Sequence, residues 1–275
     1  MLGDVEVGKF RAFGFAVLRG VMSATELEQL NVAYERIMAK APTFNYFGNS
    51  GSKYIKNTHE EDIAVASLCV HPRILEVMND IWGRPCVLTN GNDMWLNLDE
   101  TPWHSDCAVG YHIPSLQLGV YLDETTAEQG SLRVIPGTHH PEFNRAMFAN
   151  FGYFEEESRG RVRLDPSTTP GAVAIPTQPG DIVMFDNRMY HAAFKRKDGR
   201  GRRNLFLNYW PDPQDSIVAR AHLIQLAGSA ITEKRPYLYS KRLLSFRLPA
   251  IDAMVERFKE LGIQQVCEGA PAVKN

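Results

Sequence analysis

Two stretches near the start of the chain repeat apolar residues at helical spacing. In residues 21–41, Ser23 and Glu26 form the Ser-x-x-Glu pattern of a capping box, and apolar residues recur on one face behind it. A second helical pattern covers 62–82 and is interrupted at Pro72, because proline has no amide hydrogen to offer the preceding turn. A third, at 249–261, is apolar at i, i+3, i+4 and i+7.

Between these helical regions the apolar pattern shortens to that of β-strands. The strand-like segments are CVLTNGNDMWLNL, LQLGVYLD, GSLRVIP, VAIPT, DIVMFDNRMYHAAF and RRNLFLNYW. Gly, Pro, Asn and Asp separate them, as expected of turns. The least regular interval is 142–177, for which we predict a long, mobile loop that acts as a lid.

Helices on both sides of many short strands predict a mainly β fold with flanking helices, either a β-sandwich or a jelly roll. A chain of 275 residues is compatible with a single domain. We predict one domain over 1–275: a helical N-terminal part at about 1–84, a β core at about 85–212 and a C-terminal helical extension at about 213–275.

Composition narrows the classes of partner. The formal net charge is −2 with both signs interspersed, so we expect no nucleic-acid partner. The chain has neither a signal-peptide pattern nor about 18 consecutive apolar residues, so we expect a cytoplasmic protein with no membrane partner. The four cysteines form no C-x-x-C pair, and we expect them to be reduced. The oligomeric state is left open.

The candidate chemistry begins in the stretch TPWHSDC, where His104 and Asp106 lie two residues apart. On a strand these side chains share one face, although an isolated pair of this kind is more often a polar strand edge or a hydrogen-bonded pair. A later apolar strand ends at His191, and a hairpin then returns to Arg202 and Arg203. Two histidines and a carboxylate form the facial triad of non-haem iron(II) oxygenases, which leaves positions open for a 2-oxo acid and dioxygen.

The sequence resembles the phytanoyl-CoA dioxygenase family of iron(II)- and 2-oxoglutarate-dependent oxygenases. The resemblance implies a double-stranded β-helix (a cupin-like jelly roll), His104, Asp106 and His191 as iron ligands, and Arg202 as the anchor of the distal carboxylate of 2-oxoglutarate. The motifs that carry it are FGFAVLRGVMSATELEQL, HPRILEVMNDIWGRP, PWHSD, VYLDETTAEQGSLRVIPGTHH, PGDIVMFDNRMYHAA and the arginine eleven residues after His191.

One position departs from the family pattern. Many members carry serine or threonine two residues after the second histidine, where this chain has Ala193. Either another donor assists Arg202, for which Arg203 and Asn204 are the nearby polar candidates, or Arg202 acts with less help. Strand parity alone does not select Arg202 over Arg203, because the two side chains project from opposite faces of the strand.

Four further residues are candidates for contacts in the site. Asn92 and Gln117 lie on strands next to the triad, and we predict that they bind the 2-oxo acid, although roles in hydrogen bonding within the fold are equally compatible. Trp103 and His112 are close enough in sequence to line a substrate pocket, although an aromatic residue in such a place commonly packs in the core.

The leading hypothesis is an enzyme that uses Fe(II), 2-oxoglutarate and dioxygen to hydroxylate, desaturate or cyclise an unactivated C–H bond of a small metabolite. Succinate and carbon dioxide are released in this reaction. One alternative is a zinc hydrolase or isomerase with the same ligands, which gives Arg202 no role. Another is a non-catalytic jelly-roll binding protein.

Overall fold

The structure is a computed structural model, and it describes residues 2–44, 51–89, 92–107, 113–151, 155–156, 161–162, 169–214, 216–221, 223 and 239–263. Its named helices are α1 (Asp4–Phe13), α2 (Ala24–Met38), α3 (Ile63–Cys69), α4 (Pro72–Trp82), α5 (Pro141–Phe151), α6 (Lys241–Ser245) and α7 (Pro249–Glu260). The strands are β1 (Phe15–Leu18), β2 (Thr43–Phe44), β3 (Ser52–Ile55), β4 (Cys86–Leu88), β5 (Asp93–Asn97), β6 (Thr101–His104), β7 (Leu116–Tyr121), β8 (Leu132–Val134), β9 (Glu155–Glu156), β10 (Arg161–Val162), β11 (Val173–Ile175), β12 (Ile182–Asp186), β13 (His191–Ala193) and β14 (Arg202–Pro211).

The predicted helix signals are present as local hydrogen bonds. The Ser23 side chain accepts from the Glu26 amide, and the Glu26 carboxylate accepts from the Ser23 amide at 2.8 Å, which completes the capping box of α2. At the predicted interruption, His71 caps α4 by accepting from the Arg73 amide, and Pro72 occupies the first turn. The three predicted helical regions are therefore confirmed.

Two antiparallel sheets form the β part of the molecule. Within the described residues, eight strands form a large sheet in the order β1-β12-β7-β14-β5-β3-β2, with β4 paired to β14. Six strands form a smaller sheet in the order β11-β8-β13-β6-β10-β9. Side chains of both sheets line one cavity, so the sheets face each other as in a jelly roll. The predicted fold class is confirmed.

The outer face of the large sheet is covered by helices. Leu205 and Leu207 of β14 and Val120 of β7 are fully buried in one core together with apolar residues of α2 and α4, such as Leu30 and Met78. Because side chains alternate along a strand, the opposite face of β14 carries Arg202, Asn204, Phe206 and Asn208 toward the inter-sheet cavity.

Two regions differ from the sequence-based prediction. The N-terminal part is not only helical, since β1 pairs with β12 and β3 pairs with β5 at the edges of the large sheet. The interval 142–177 is not one irregular loop, because α5 covers its beginning and β11 its end. Asn144 anchors α5 by donating to the Thr138 carbonyl, a contact that periodicity does not reveal. Residues 152–154, 157–160 and 163–168 lie outside the described part, and mobility of the interval 142–177 stays a prediction.

Among the helices of the described residues, none has both the length and the apolar character that a bilayer crossing requires.

Candidate active site

Two histidines face each other across the small sheet. His104 on β6 and His191 on β13 are direct cross-strand partners, and their ring centroids are 4.2 Å apart. The Nδ1 atom of His104 lies 2.8 Å from the Pro102 carbonyl oxygen, and that of His191 lies 3.0 Å from the Met189 carbonyl oxygen. A carbonyl can only accept, so each Nδ1 carries the hydrogen and each Nε2 presents a lone pair for a metal ion.

Asp106 reaches the histidines from a turn. The sequence pattern suggested that His104 and Asp106 share one face of a strand, but β6 ends at His104. The turn is held because the backbone amides of Asp106 and Cys107 both donate to the Asn187 carbonyl oxygen, at 2.9 and 3.0 Å. This contact from the opposite chain segment, rather than strand alternation, brings the carboxylate to the imidazoles.

The three side chains converge on one point. Asp106 Oδ1 lies 3.8 Å from His104 Nε2, and Asp106 Oδ2 lies 3.7 Å from His191 Nε2. With one ligand atom taken from each residue, all three atoms lie within 4.8 Å of one another. Gln117 on the large sheet donates from Nε2 to Asp106 Oδ2 at 2.7 Å and so fixes the orientation of the carboxylate. Two neutral nitrogens and one carboxylate fit a divalent iron with open positions.

The electrostatics keep His191 available as a ligand. Burial, followed by the nearby His104, lowers the pKa of His191 to about 4, whereas Asp106 acts in the opposite direction. The imidazole is therefore neutral at physiological pH, as metal binding requires.

Arg202 is a buried cation that no carboxylate of the described residues pairs with. Arg202 is only 4% exposed, and burial lowers the pKa of its guanidinium to about 10. The guanidinium donates to the carbonyl oxygens of Phe194 at 2.6 Å and Asp99 at 3.0 Å, and to Thr101 Oγ1 at 3.1 Å. All three acceptors are neutral, so the charge remains available for an acidic ligand in the cavity.

Arg203 points to the other face of β14. Its guanidinium forms a double hydrogen bond with Asp123 and contacts Glu35 and Asn31 of α2. The cation also lies 5.6 Å from the ring centroid of Tyr34. Arg203 is therefore paired on the helix-covered side of the sheet, and the ambiguity between the two arginines is resolved in favour of Arg202 as the one that faces the cavity.

One cavity joins the histidines to Arg202. Its volume is about 840 Å³, and it is lined by both sheets. The triad and Gln117 lie in the same cavity as Arg202, Ala193 and Leu132. A second region of the wall comes from β3, β5 and the end of β14, where Tyr54, Trp95 and Trp210 contribute aromatic surface.

Two of the predicted contact residues lie outside this cavity. Asn92 is fully buried and holds two chain segments together, because its Oδ1 accepts from the Asn208 amide at 2.9 Å and its amide group donates to Thr89. Trp103 is also fully buried, and its Nε1 donates to Thr169 Oγ1 at 2.9 Å. The structure therefore does not bring Asn92 or Trp103 to the cavity, where the sequence analysis expected them.

The physical reason differs between the two residues. Trp103 alternates with His104 on β6, so the strand that turns the histidine into the cavity turns the indole into the core around Ile135 and Met147. Asn92 precedes β5, where an amide side chain is used to satisfy backbone groups. His112 lies outside the described residues, and its role stays a prediction.

Sequence reasoning missed several residues that line the cavity. Thr101 and Tyr121 face it from opposite sheets, and the Asn187 carbonyl positions the turn of Asp106. Contacts between distant segments bring Tyr121 and Asn187 to the triad, and the bulged register of β6 and β13 brings Thr101 to the cavity, so no local pattern marks these residues. Cys107 also lines the cavity, but burial raises the pKa of its thiol to about 11, which disfavours the thiolate form that binds metals.

Comparison with known proteins agrees with this geometry. The sequence profile of the phytanoyl-CoA dioxygenase family matches residues 10–204, which is more than half of the chain. The chain therefore belongs to the phytanoyl-CoA dioxygenase family. A curated relative is the ectoine dioxygenase of Sphingopyxis alaskensis, which is 23% identical over an alignment of 232 positions, and the match covers 74% of this chain and 74% of the relative.

Solved structures share the fold. The epimerase SnoN from nogalamycin biosynthesis, solved with Fe3+, alpha-ketoglutarate and nogalamycin RO, superposes with a TM-score of 0.60 at 18% identity, covering 76% of this chain and 83% of SnoN. The carbocyclase SnoK from the same pathway gives a TM-score of 0.59 at 19% identity, covering 80% of this chain and 90% of SnoK. Family membership and the His-Asp-His triad together define an iron- and 2-oxoglutarate-dependent oxygenase.

Proposed function

We propose that this enzyme couples the oxidative decarboxylation of 2-oxoglutarate to the oxidation of an unactivated C–H bond in a small metabolite. The observation that carries the proposal is that one cavity contains the triad of His104, Asp106 and His191 together with Arg202, a buried cation that pairs with no carboxylate of the described residues. A 2-oxo acid with a second carboxylate matches both features. A zinc hydrolase would have no use for the arginine.

Each residue has a defined task in this proposal. The two imidazoles and the Asp106 carboxylate would hold the iron, and Gln117 keeps the carboxylate turned toward the imidazoles. Arg202 binds the distal carboxylate in a water-poor site through charge-assisted hydrogen bonds from the guanidinium hydrogens that Phe194, Asp99 and Thr101 do not accept. Bound iron supplies the oxygen chemistry, and the protein provides position and exclusion of water.

We place the substrate at the aromatic end of the cavity. Trp95 and Tyr54 are neighbours there, with ring centroids 4.1 Å apart, and Trp210 lies on the same cavity. These rings offer flat apolar surface, while Lys56 and Asn208 add polar groups to the wall. Such a mixed wall fits a small molecule with both apolar and polar parts.

Hydroxylation is the leading outcome, with desaturation and ring formation as alternatives. The names of similar proteins include a dioxygenase, an epimerase and a carbocyclase, so the shared fold does not fix the outcome. The product distinguishes these reactions by mass: hydroxylation adds one oxygen, desaturation or ring closure removes two hydrogens, and epimerisation leaves the mass unchanged.

The test is a metabolite screen of the iron(II)-loaded protein with 2-oxoglutarate under air, scored by succinate release and followed by product mass. We expect succinate with iron and none with zinc. An Asp106→Ala variant is the negative control for the metal, and Arg203→Ala is the positive control. A metabolite turned over with zinc in the absence of oxygen would contradict the proposal and favour the hydrolase alternative. If the protein neither binds iron nor turns over any metabolite, the result would favour a non-catalytic binding protein.

A further inference from the structure

The side chain at position 193 is the starting point, because an alanine there leaves Arg202 without the neighbouring hydroxyl that the family pattern leads one to expect. Ala193 lines the cavity and has only a methyl group to offer. Of the two substitutes considered from the sequence, Arg203 is excluded because it is paired with Asp123 on the other side of the sheet. Asn204 lines the cavity but makes no hydrogen bond to Arg202.

We propose that Thr101 supplies the missing hydroxyl from the neighbouring strand and donates it to the distal carboxylate of 2-oxoglutarate. The register of β6 and β13 places Thr101 beside Ala193. Thr101 on β6 is the direct cross-strand partner of Ala193 on β13, because a bulge follows the pair of His104 and His191. The side chains of such a pair begin about 5 Å apart, so a hydroxyl on either strand can occupy the same region.

The second step is contact with the arginine. Thr101 Oγ1 lies 3.1 Å from a terminal nitrogen of Arg202, and both residues line the cavity. A carboxylate that pairs with this guanidinium therefore comes within reach of the Thr101 hydroxyl.

The third step is the donor and acceptor count at Thr101. A hydroxyl has two acceptor lone pairs and one hydrogen to donate. The lone pairs accept from Arg202 at 3.1 Å and from Asn97 Nδ2 at 3.1 Å. The Asn97 amide is oriented by its own oxygen, which accepts from the Asp99 amide at 3.1 Å, so its nitrogen faces Thr101.

The hydroxyl hydrogen of Thr101 is therefore still available for donation. Both neighbours are donors, and no acceptor for this hydrogen lies among the described residues, so it is directed to the open side, which is the cavity. A donor with a fixed direction beside a buried cation is suited to a carboxylate oxygen. The inference rests on the proposed binding of 2-oxoglutarate at Arg202.

The experiment measures binding rather than turnover. The iron(II)-loaded protein is titrated under anaerobic conditions with 2-oxoglutarate and, separately, with 2-oxopentanoate, which has the same chain length without the distal carboxylate. We expect Thr101→Val to raise the dissociation constant for 2-oxoglutarate roughly tenfold, the scale of one lost hydrogen bond to a charged group. Thr101→Ser should bind like the unchanged protein, and 2-oxopentanoate should bind all variants alike.

A second variant separates donation to the carboxylate from support of Arg202. Adding Ala193→Thr to Thr101→Val moves the hydroxyl to the partner strand and should restore most of the affinity. Thermal unfolding of each variant checks folding, and Thr101→Ala replaces Thr101→Val if the latter does not fold. Loss of affinity without rescue by Ala193→Thr would assign Thr101 to holding the arginine and overturn the inference.

The remaining outcomes are also decisive. If Thr101→Val binds 2-oxoglutarate like the unchanged protein, the inference fails while the proposed function stands, and a loss in Asn204→Ala or Tyr121→Phe would identify the donor instead. If the unchanged protein binds iron but not 2-oxoglutarate, the proposed function itself fails and the inference falls with it.

Discussion

The sharpest test of the site is the exchange of Arg202 for methionine, which keeps much of the side-chain volume and removes the charge. We expect Arg202→Met to abolish tight binding of 2-oxoglutarate while iron(II) binding persists, because the arginine does not touch the triad. The matched control is Arg203→Met, one residue further on the same strand. Its guanidinium is paired with Asp123 and Glu35 on the outside of the sheet.

The magnitude follows from burial. Arg202 is 4% exposed, so a carboxylate bound to it is desolvated, and removal of a buried charge partner costs about 2–5 kcal/mol. At about 1.4 kcal/mol per factor of ten, the dissociation constant for 2-oxoglutarate should rise at least roughly 30-fold. Arg203→Met should cost about 1–3 kcal/mol of folding stability, because it removes the double hydrogen bond to Asp123, and it should leave cosubstrate binding unchanged.

The assay is an anaerobic titration of both iron-loaded variants with 2-oxoglutarate, followed by the visible charge-transfer band and by calorimetry. A large loss in Arg203→Met with none in Arg202→Met would refute the assignment of the cavity-facing arginine. Equal losses would show that the strand, rather than one guanidinium, had been disturbed.

Three further predictions follow from the same contacts. Gln117→Leu should weaken iron(II) binding about 10- to 100-fold, measured by competition with a chelator, because the Asp106 carboxylate loses its orienting donor; unchanged affinity would remove Gln117 from the site. The free energy of unfolding of the metal-free protein should fall by up to about 3 kcal/mol as the pH falls from 6.5 to 4. The reason is that the pKa of His191 is lowered to about 4 in the folded protein, so the unfolded chain binds a proton there more readily. His191→Gln should make this pH dependence weaker, measured by denaturant titrations at several pH values. Trp103→Phe should lower stability by about 1–3 kcal/mol through loss of the buried hydrogen bond from Trp103 to Thr169, and it should leave 2-oxoglutarate binding intact; a selective loss of 2-oxoglutarate binding would show that Trp103 contributes to the cavity.

The sequence determined the local structure and the candidate metal ligands His104, Asp106 and His191, which the structure brings together. The capping box at Ser23 and the break at Pro72 act through neighbours within a few residues, so their signals are complete in the chain. The His-x-Asp motif and the later His191 were recognisable because metal binding demands particular side chains at particular places in the family pattern. The spacing of eleven residues after His191 in the family pattern indicates Arg202 as the carboxylate anchor, whereas strand parity alone does not distinguish Arg202 from Arg203.

Only the tertiary structure decided which polar residues face the cavity. Strand alternation permits either face of β14 to turn inward, and the choice depends on which face the helices cover, as the buried Leu205 and the paired Arg203 show. The same holds for Trp103, which follows its strand into the core. Thr101 meets Ala193 only through a bulged cross-strand register, because contacts between distant segments depend on how the sheets close rather than on local residue preference.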